Sequence, residues 1–163
     1  MNTLVIDASI AVKWVVEEDG TPAALALRKQ ARLIAPDLLV AECANILWKK
    51  VQRDELSQEE ALLAARLLEG AEIELLPTRS LLESAVRIAI GLDHPAYDCL
   101  YLALALQEAC CFATADERFL RTLAQARLDE FRECAISLTE AAANPEPPQP
   151  KHRRARSAER TQR

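Results

Sequence analysis

The chain has 163 residues, of which 50% are hydrophobic and 28% are charged, and its formal net charge is −5. This length and composition predict one globular domain with its own core, and no apolar run reaches the roughly 18 residues that a membrane-spanning helix needs. The N-terminus has neither a basic region nor a small-residue cleavage site, so we expect a cytoplasmic protein with no membrane partner.

Short apolar segments alternate with helical patterns from the N-terminus onward. The apolar segments predict buried strands, which in chain order cover residues 3–6, 33–35, 72–76, 110–114 and 134–138. The helical patterns, in the same order, cover about residues 9–17, 21–32, 37–53, 57–70, 78–90, 96–109 and 116–126. Strands that alternate with helices predict an α/β fold, a three-layer α/β/α sandwich with a central parallel sheet.

Three of these helices begin with a recognisable capping signal. Ser9 is the expected N-cap of the first helix, and Thr21 followed by Pro22 predicts an N-cap with proline at the first helical position. Ser57 and Glu60 have the spacing of a capping box, which predicts the start of the fourth helix.

The charge is divided unevenly between the body of the chain and its C-terminal end. Residues 151–163 hold six basic side chains and one acidic one, a net charge of +5, so the preceding 150 residues carry −10. An acidic body is not typical of a general nucleic-acid binder, but it suits a site that gathers divalent cations. Because the composition from Ala141 onward is rich in proline and charge, we predict a folded domain over residues 1–140 and a disordered tail over residues 141–163.

The cysteines do not form a recognisable framework. There are five, two of them adjacent and none in a CxxC pair, which is the pattern of neither a disulfide scaffold nor a zinc site. We interpret them as small buried thiols. A catalytic thiol is the alternative, but His94 and His152 are the only histidines with which it could pair.

Four acidic residues lie beside apolar stretches at successive crossovers. Asp7 ends the first predicted strand and Asp116 follows the fourth. In a parallel sheet, ligands bind beyond the carboxyl ends of the strands, where the strand order reverses. If these two strands are neighbours across that point, both carboxylates face one crevice. Glu42 lies early in a long amphipathic helix, with Asn45 on the same face, and Asp98 lies in the first turn of a helix that is apolar almost all round.

Each acid taken alone has an ordinary structural explanation. The charge of Asp7 or Asp98 stabilises the N-terminus of a helix. In the same set of explanations, Glu42 is a solvated helix residue and Asp116 is the first residue of a helix. The joint pattern is poorly explained by four unrelated caps. Clustered carboxylates repel one another unless they share a cation, and an all-oxygen set suits Mg²⁺ or Mn²⁺ rather than zinc. The reaction class indicated is metal-assisted phosphodiester hydrolysis.

Four segments resemble, in order, the motif blocks of PIN-domain ribonucleases, most closely the VapC-type toxins of bacterial toxin–antitoxin systems. They read "VIDASIAVKW", "PDLLVAECANILWK", "HPAYDCLYLALA" and "FATADERFL". The resemblance covers about residues 1–140 and implies that the catalytic, metal-site acids are Asp7, Glu42, Asp98 and Asp116. It also matches three accessory polar positions of the family, Ser9, Asn45 and Thr114.

The resemblance also implies a fold, an activity and partners. Members of this family are Mg²⁺- or Mn²⁺-dependent endoribonucleases with an α/β/α sandwich. They are often homodimers, and a VapB-type antitoxin inhibits them. We therefore expect a toxin that cleaves single-stranded RNA. The RNA target and the number of ions, one or two, stay open.

Other readings of the same residues are weaker. An aspartyl-nucleophile phosphatase has a second acid two residues after the first, where this chain has Ser9, and three glycines do not make a phosphate-binding loop. Ser9 as a helix cap, with Asn45 and Thr114 bound to backbone groups, is an alternative for the accessory residues. A non-catalytic PIN-like module that binds RNA or protein is the strongest alternative function, and the presence of all four acids argues against it. Tyr97 and Tyr101 are expected in the core.

Overall fold

The computed structural model describes residues 2–144. Within this range five strands form one sheet, in which every neighbouring pair is parallel. Their bounds are β1 Asn2–Ile6, β2 Ala31–Pro36, β3 Glu74–Leu76, β4 Cys111–Thr114 and β5 Ala135–Ser137. The order across the sheet is β3-β2-β1-β4-β5. Strands β2 and β3 are added on one side of β1, and β4 and β5 on the other, so the strand order reverses between β1 and β4.

Helices flank the sheet and make the predicted three-layer α/β/α sandwich. In the described part of the chain they are α1 Ala8–Ala11, α2 Thr21–Gln30, α3 Leu38–Gln52, α4 Gln58–Glu69, α5 Leu82–Leu92, α6 Ala96–Gln107, α7 Glu117–Ala124, α8 Asp129–Cys134 and α9 Leu138–Ala143. Short 3-10 helices follow α1 and precede α5. None of the helices in residues 2–144 is both long and apolar enough to cross a membrane.

The core is built around the central strand β1 and helix α6. In β1, Val5 pairs with Ile34 of β2 on one side and with Phe112 of β4 on the other, and all three side chains are buried. Helix α6 is buried almost all round, as its apolar sequence predicts. Each fully buried leucine of β1 and α6 stabilises the fold by about 2 kcal/mol through the hydrophobic effect. Because this packing fixes β1 in the core, the carboxyl end of the strand is also held in a fixed position.

Two of the predicted helix caps are wrong. Asp7, not Ser9, is the N-cap of α1, because β1 runs into this helix without a loop and Asp7 is the last extended residue, at φ −107° and ψ 179°. The N-cap of α2 is Gly20, whose φ of +86° favours glycine, while the Thr21 hydroxyl accepts a hydrogen bond from the Glu18 amide. The capping box of Ser57 at the start of α4 is confirmed.

The C-terminal part of the domain contains two helices that the sequence did not predict, α8 and α9. A capping box between Ser137 and Glu140 starts α9, and this S-x-x-E pattern is readable in the sequence. Ala141 is buried and α9 continues to Ala143, so the predicted domain boundary at residue 140 divides a helix. The folded part extends at least three residues further. The predicted disorder of residues 145–163 lies outside the described residues.

None of the five cysteines is part of a disulfide and all five are buried, which confirms their interpretation as core thiols. Burial raises the pKa of the Cys43, Cys110 and Cys134 thiols to about 12. A catalytic thiol requires a lowered pKa, because the thiolate is the nucleophile. The catalytic-thiol alternative therefore finds no support at these positions.

Candidate active site

Asp7 lies at the carboxyl end of the central strand, at the point where the strand order reverses. It is only 7% exposed, and together with Thr114 it makes up the buried polar and charged residues within 2–144. Its Oδ1 accepts a hydrogen bond from the Ile10 amide at 3.3 Å, as an N-cap does. A charged group this deep needs several partners, because burying a carboxylate without them costs several kcal/mol.

Two hydroxyl groups supply those partners. The Ser9 hydroxyl donates to Asp7 Oδ1 at 2.5 Å, and the Thr114 hydroxyl, from the end of β4, donates to Asp7 Oδ2 at 2.5 Å. Ser9 Oγ in turn accepts from the Ala115 amide at 3.0 Å, and Thr114 Oγ1 accepts from the Asp116 amide at 3.0 Å. The network joins the ends of β1 and β4, which are paired neighbours in the sheet, so the condition for a shared crevice is met.

The balance of these effects leaves Asp7 difficult to ionise. Burial raises the pKa of its carboxyl to about 6, with a further upward contribution from the charge of Glu42, while the hydrogen bonds from Ser9 and Thr114 lower it. The desolvation contribution is the largest of these. A positive charge placed at Asp7 would reverse the balance by stabilising the ionised form.

Glu42 lies on α3 and faces the same region from another side. It is half-buried, and its Oε2 accepts a hydrogen bond from the hydroxyl of Tyr101 on α6. Burial raises the pKa of the Glu42 carboxyl, and the charge of Asp98 raises it further, against the lowering effect of the Tyr101 hydrogen bond. Asn45 is exposed, one turn later on the same helix.

Asp98 lies in the first turn of α6, and its side chain is 35% exposed. Its Oδ2 is 2.7 Å from Nε2 of His94, which precedes the helix. The His94 ring packs against Phe119 of α7, with the ring centroids 4.9 Å apart. Asp98 is therefore held by a partner on its own segment of the chain, and that segment is anchored to α7.

Asp116 has the structural role that was its alternative interpretation. It is the N-cap of α7, and its Oδ1 accepts hydrogen bonds from the amides of Arg118 and Phe119 at 2.9 and 3.0 Å. Its own amide is bonded to Thr114 Oγ1. Asp116 is thus tied to the network of Asp7 through its backbone, while its carboxylate stabilises the helix.

Electrostatic coupling links three of the four predicted acids in a series. Glu42 raises the pKa of Asp7, and Asp98 raises the pKa of Glu42. Within residues 2–144, no three His, Cys, Asp or Glu side chains are grouped closely enough to hold an ion together, and the nearest polar partners of the three acids are hydroxyl groups and an imidazole. Their chemistry fits a hard divalent cation, since the acids offer oxygen atoms and repel one another without it.

Two residues of this site were not predicted as site residues. Tyr97 and Tyr101 were both expected in the core. This was wrong for Tyr97, which is exposed, and is confirmed by the buried ring of Tyr101, whose hydroxyl reaches Glu42. His94 was considered only as a partner for a cysteine. The signal for His94 was its spacing of four residues before Asp98, which places the two side chains on one side of the chain as it enters α6.

Comparison with known proteins agrees with this fold. The model of the PIN domain family matches residues 4–124. Ribonuclease VapC3 of Pyrobaculum aerophilum is 33% identical over 108 residues, which are 63% of this chain and 80% of that protein. VapC ribonuclease Mb0985 of Mycobacterium bovis is 30% identical over 119 residues, which are 73% of this chain and 90% of that protein.

A solved structure supports the same fold. The crystal structure of PAE2754 from Pyrobaculum aerophilum superposes with a TM-score of 0.64 over 87% of this chain and 88% of that chain, at 19% sequence identity. The family model covers most of the chain, so the chain belongs to the PIN domain family. Within that family it is of the VapC type.

Proposed function

We propose that the protein is a cytoplasmic, divalent-metal-dependent endoribonuclease that hydrolyses phosphodiester bonds of single-stranded RNA, as the toxin of a toxin–antitoxin pair. The observation that carries this proposal is the series of mutually repelling carboxylates, Asp7, Glu42 and Asp98, at the switch point of the sheet. Membership of the PIN domain family and relatives named VapC ribonuclease support it.

In this proposal the side chains of Asp7, Glu42 and Asp98 turn closer together than they lie here to hold Mg²⁺ or Mn²⁺, and Asp116 completes the site directly or through water. Such an ion supplies an activated water and stabilises the charge on the phosphate and the leaving oxygen. Ser9 and Thr114 hold the Asp7 carboxylate in place through their hydroxyl groups. Asn45 is an accessory polar residue, exposed one turn after Glu42 on α3.

The first test is metal removal. Cleavage of a fluorescent single-stranded RNA is expected to fall by about 100-fold or more in excess EDTA and to return on addition of Mg²⁺ or Mn²⁺, because the ion stabilises charge that the acids alone repel. Double-stranded RNA and single-stranded DNA of the same sequence serve as substrate controls. Undiminished cleavage in EDTA, by protein free of contaminating nucleases, would contradict the proposed mechanism.

The same preparation distinguishes the enzyme from a non-catalytic PIN-like module. Titration with Mn²⁺ is expected to show a site of millimolar or tighter affinity that disappears in Asp7→Asn, because the ion gains from each negative charge it neutralises. A non-catalytic module would bind RNA without such a site. The matched control is Asp129→Asn, which removes a carboxylate from the exposed start of α8.

We further propose that a VapB-type antitoxin inserts an arginine or lysine at this cluster of acids. A guanidinium or ammonium group would satisfy carboxylates that otherwise repel one another. Co-expression with the product of the adjacent gene is expected to relieve growth arrest and to yield a stable complex. In the variant Glu42→Gln/Asp98→Asn the complex should dissociate faster, because two of the attracting charges are gone. If co-expression gives neither a complex nor relief, this partner is wrong.

We also propose that the protein is a homodimer. Helix α5 exposes large apolar side chains at every fourth position, Leu82, Val86 and Ile90. Such a stripe on one face of a helix is typical of a surface that another helix covers.

A further inference from the structure

The hydrogen bond between Tyr101 and Glu42 joins two helices that carry acids of the candidate site. Tyr101 lies on α6, three residues after Asp98, and Glu42 lies on α3, 59 positions earlier in the chain. The phenol donates and Glu42 Oε2 accepts. One oxygen of the Glu42 carboxylate is therefore fixed by α6, which leaves Oε1 as the second oxygen for another ligand.

The ring that bears this hydroxyl has no freedom to move. Tyr101 is 0% exposed and stacks on Phe112 of β4, with the ring centroids 5.6 Å apart and an interplanar angle of 15°. Phe112 is paired in the centre of the sheet with Val5. The hydroxyl thus projects from the rigid core at a fixed point, and a buried phenol of this kind needs a hydrogen-bond acceptor.

Glu42, by contrast, has an open path to solvent. Its neighbours on the helix surface, Ala41 and Asn45, are exposed, and a glutamate side chain has several rotatable bonds whose ordering costs entropy. Repulsion from Asp7 and Asp98 favours rotamers that point away from the site. The Tyr101 hydroxyl is the contact that opposes this repulsion.

We infer that Tyr101 is a positioning residue, whose hydroxyl holds Glu42 toward Asp7 and Asp98 and so sets the affinity of the site for a divalent cation. This inference rests on the proposed function, since it concerns the same ion. It goes further in assigning the metal affinity partly to a side chain that does not itself bind the metal. When a residue does not bind the metal but orients a metal ligand through a hydrogen bond, its replacement commonly lowers metal affinity by about 10- to 100-fold.

The test compares Tyr101→Phe with Tyr97→Phe. Both variants lose one phenolic oxygen from α6, but Tyr97 is 66% exposed and serves as the matched control. The Kd for Mn²⁺, measured by titration calorimetry, is expected to rise about tenfold in Tyr101→Phe and to stay unchanged in Tyr97→Phe. RNA cleavage by Tyr101→Phe should require correspondingly more Mn²⁺, with kcat approaching that of the parent at saturation.

A double-mutant cycle shows whether the effect passes through Glu42. In a Glu42→Ala background, Tyr101→Phe is expected to leave the Mn²⁺ Kd unchanged, because the side chain that it positions is absent. An effect of equal size in both backgrounds would overturn the inference. So would a Tyr101→Phe chain that fails to fold by circular dichroism, since the hydroxyl would then serve the core rather than the site.

The outcomes separate this inference from the function on which it rests. If the parent protein has no Asp7-dependent Mn²⁺ site, the proposed function fails and the inference fails with it. If the parent binds Mn²⁺ and cleaves RNA, and Tyr101→Phe binds Mn²⁺ with unchanged Kd, only the positioning role of Tyr101 is overturned.

Discussion

Replacement of Asp7 by asparagine is expected to lower RNA cleavage by about a thousandfold, since it removes the most deeply buried charge of the proposed site. Asparagine keeps the shape of the side chain and an oxygen that can accept from the Ile10 amide, so the cap of α1 survives. A loss of activity with a retained fold would therefore report on the charge itself.

The same substitution is expected to stabilise the protein at neutral pH when no divalent cation is present. The folded-state pKa of Asp7 is about 6, above the ordinary value of 3.8 for an aspartate, so the folded protein holds this proton more tightly than the unfolded chain. Its ionisation therefore destabilises the fold as pH rises from about 4 to about 6, by up to about 3 kcal/mol above that range. Asparagine does not ionise and escapes this penalty.

The measurement is urea denaturation of the parent and of Asp7→Asn in EDTA, from pH 4 to pH 8. The difference in the free energy of unfolding should be small near pH 4 and should favour the variant increasingly up to about pH 6. Saturating Mg²⁺ should reduce or reverse it, because the parent gains more binding energy. A variant that is less stable at every pH and still cleaves RNA would make Asp7 an ordinary helix cap.

The second large effect is expected from Thr114→Val, which preserves the shape of a fully buried side chain. Its hydroxyl donates to Asp7 Oδ2 and accepts from the Asp116 amide, so valine leaves a buried carboxylate and a backbone amide each without one partner. We expect the free energy of unfolding to fall by about 3 kcal/mol at neutral pH and the pKa of Asp7 to rise further. Cleavage should fall as well, because Asp7 loses one of its two hydroxyl donors.

Thr122→Val is the matched control for this experiment. The Thr122 hydroxyl donates only to the carbonyl of Arg118 one turn earlier in α7, away from the acids, so its loss should change the free energy of unfolding by about 0.5 kcal/mol or less. Urea denaturation of both variants under the same conditions gives the comparison. Equal effects from the two substitutions would show that the Thr114 hydroxyl has no special role.

The fold was predictable because its strands and helices have strong local patterns. The apolar run that ends at Asp7 predicted a buried strand, and the capping box of Ser57 marks α4 in the sequence itself. The parallel sheet between layers of helices followed from the alternation of strands and helices, whereas the order of its strands was not predicted. Helix α8 was not predicted because it is short and most of its residues are charged, Asp129 among them. Its two buried positions, Phe131 and Cys134, are too few to give a clear helical pattern of apolar residues.

The candidate site was only partly predictable. The apolar pattern placed Asp7 and Asp116 at the ends of the first and fourth strands. The resemblance to PIN-domain ribonucleases added Thr114, and the structure joins Thr114 to Asp7. Asp116 shows the limit of such reasoning, because a carboxylate at a strand end can either cap a helix or bind a metal. In this structure it accepts hydrogen bonds from two amides of α7. The hydrogen bond between Tyr101 and Glu42 depends on the position of α3 relative to α6, which no local sequence pattern specifies.

The link between β1 and β4 also governs when the proposed site can form during synthesis. Asp7 precedes Thr114, which completes its environment, by 107 positions in the chain. At typical elongation rates of about 5–20 residues per second, that separation corresponds to roughly 5 to 20 seconds. The proposed site is therefore incomplete until residue 114 has been synthesised, and under the proposed function this interval gives a co-translated inhibitor time to be ready when the site forms.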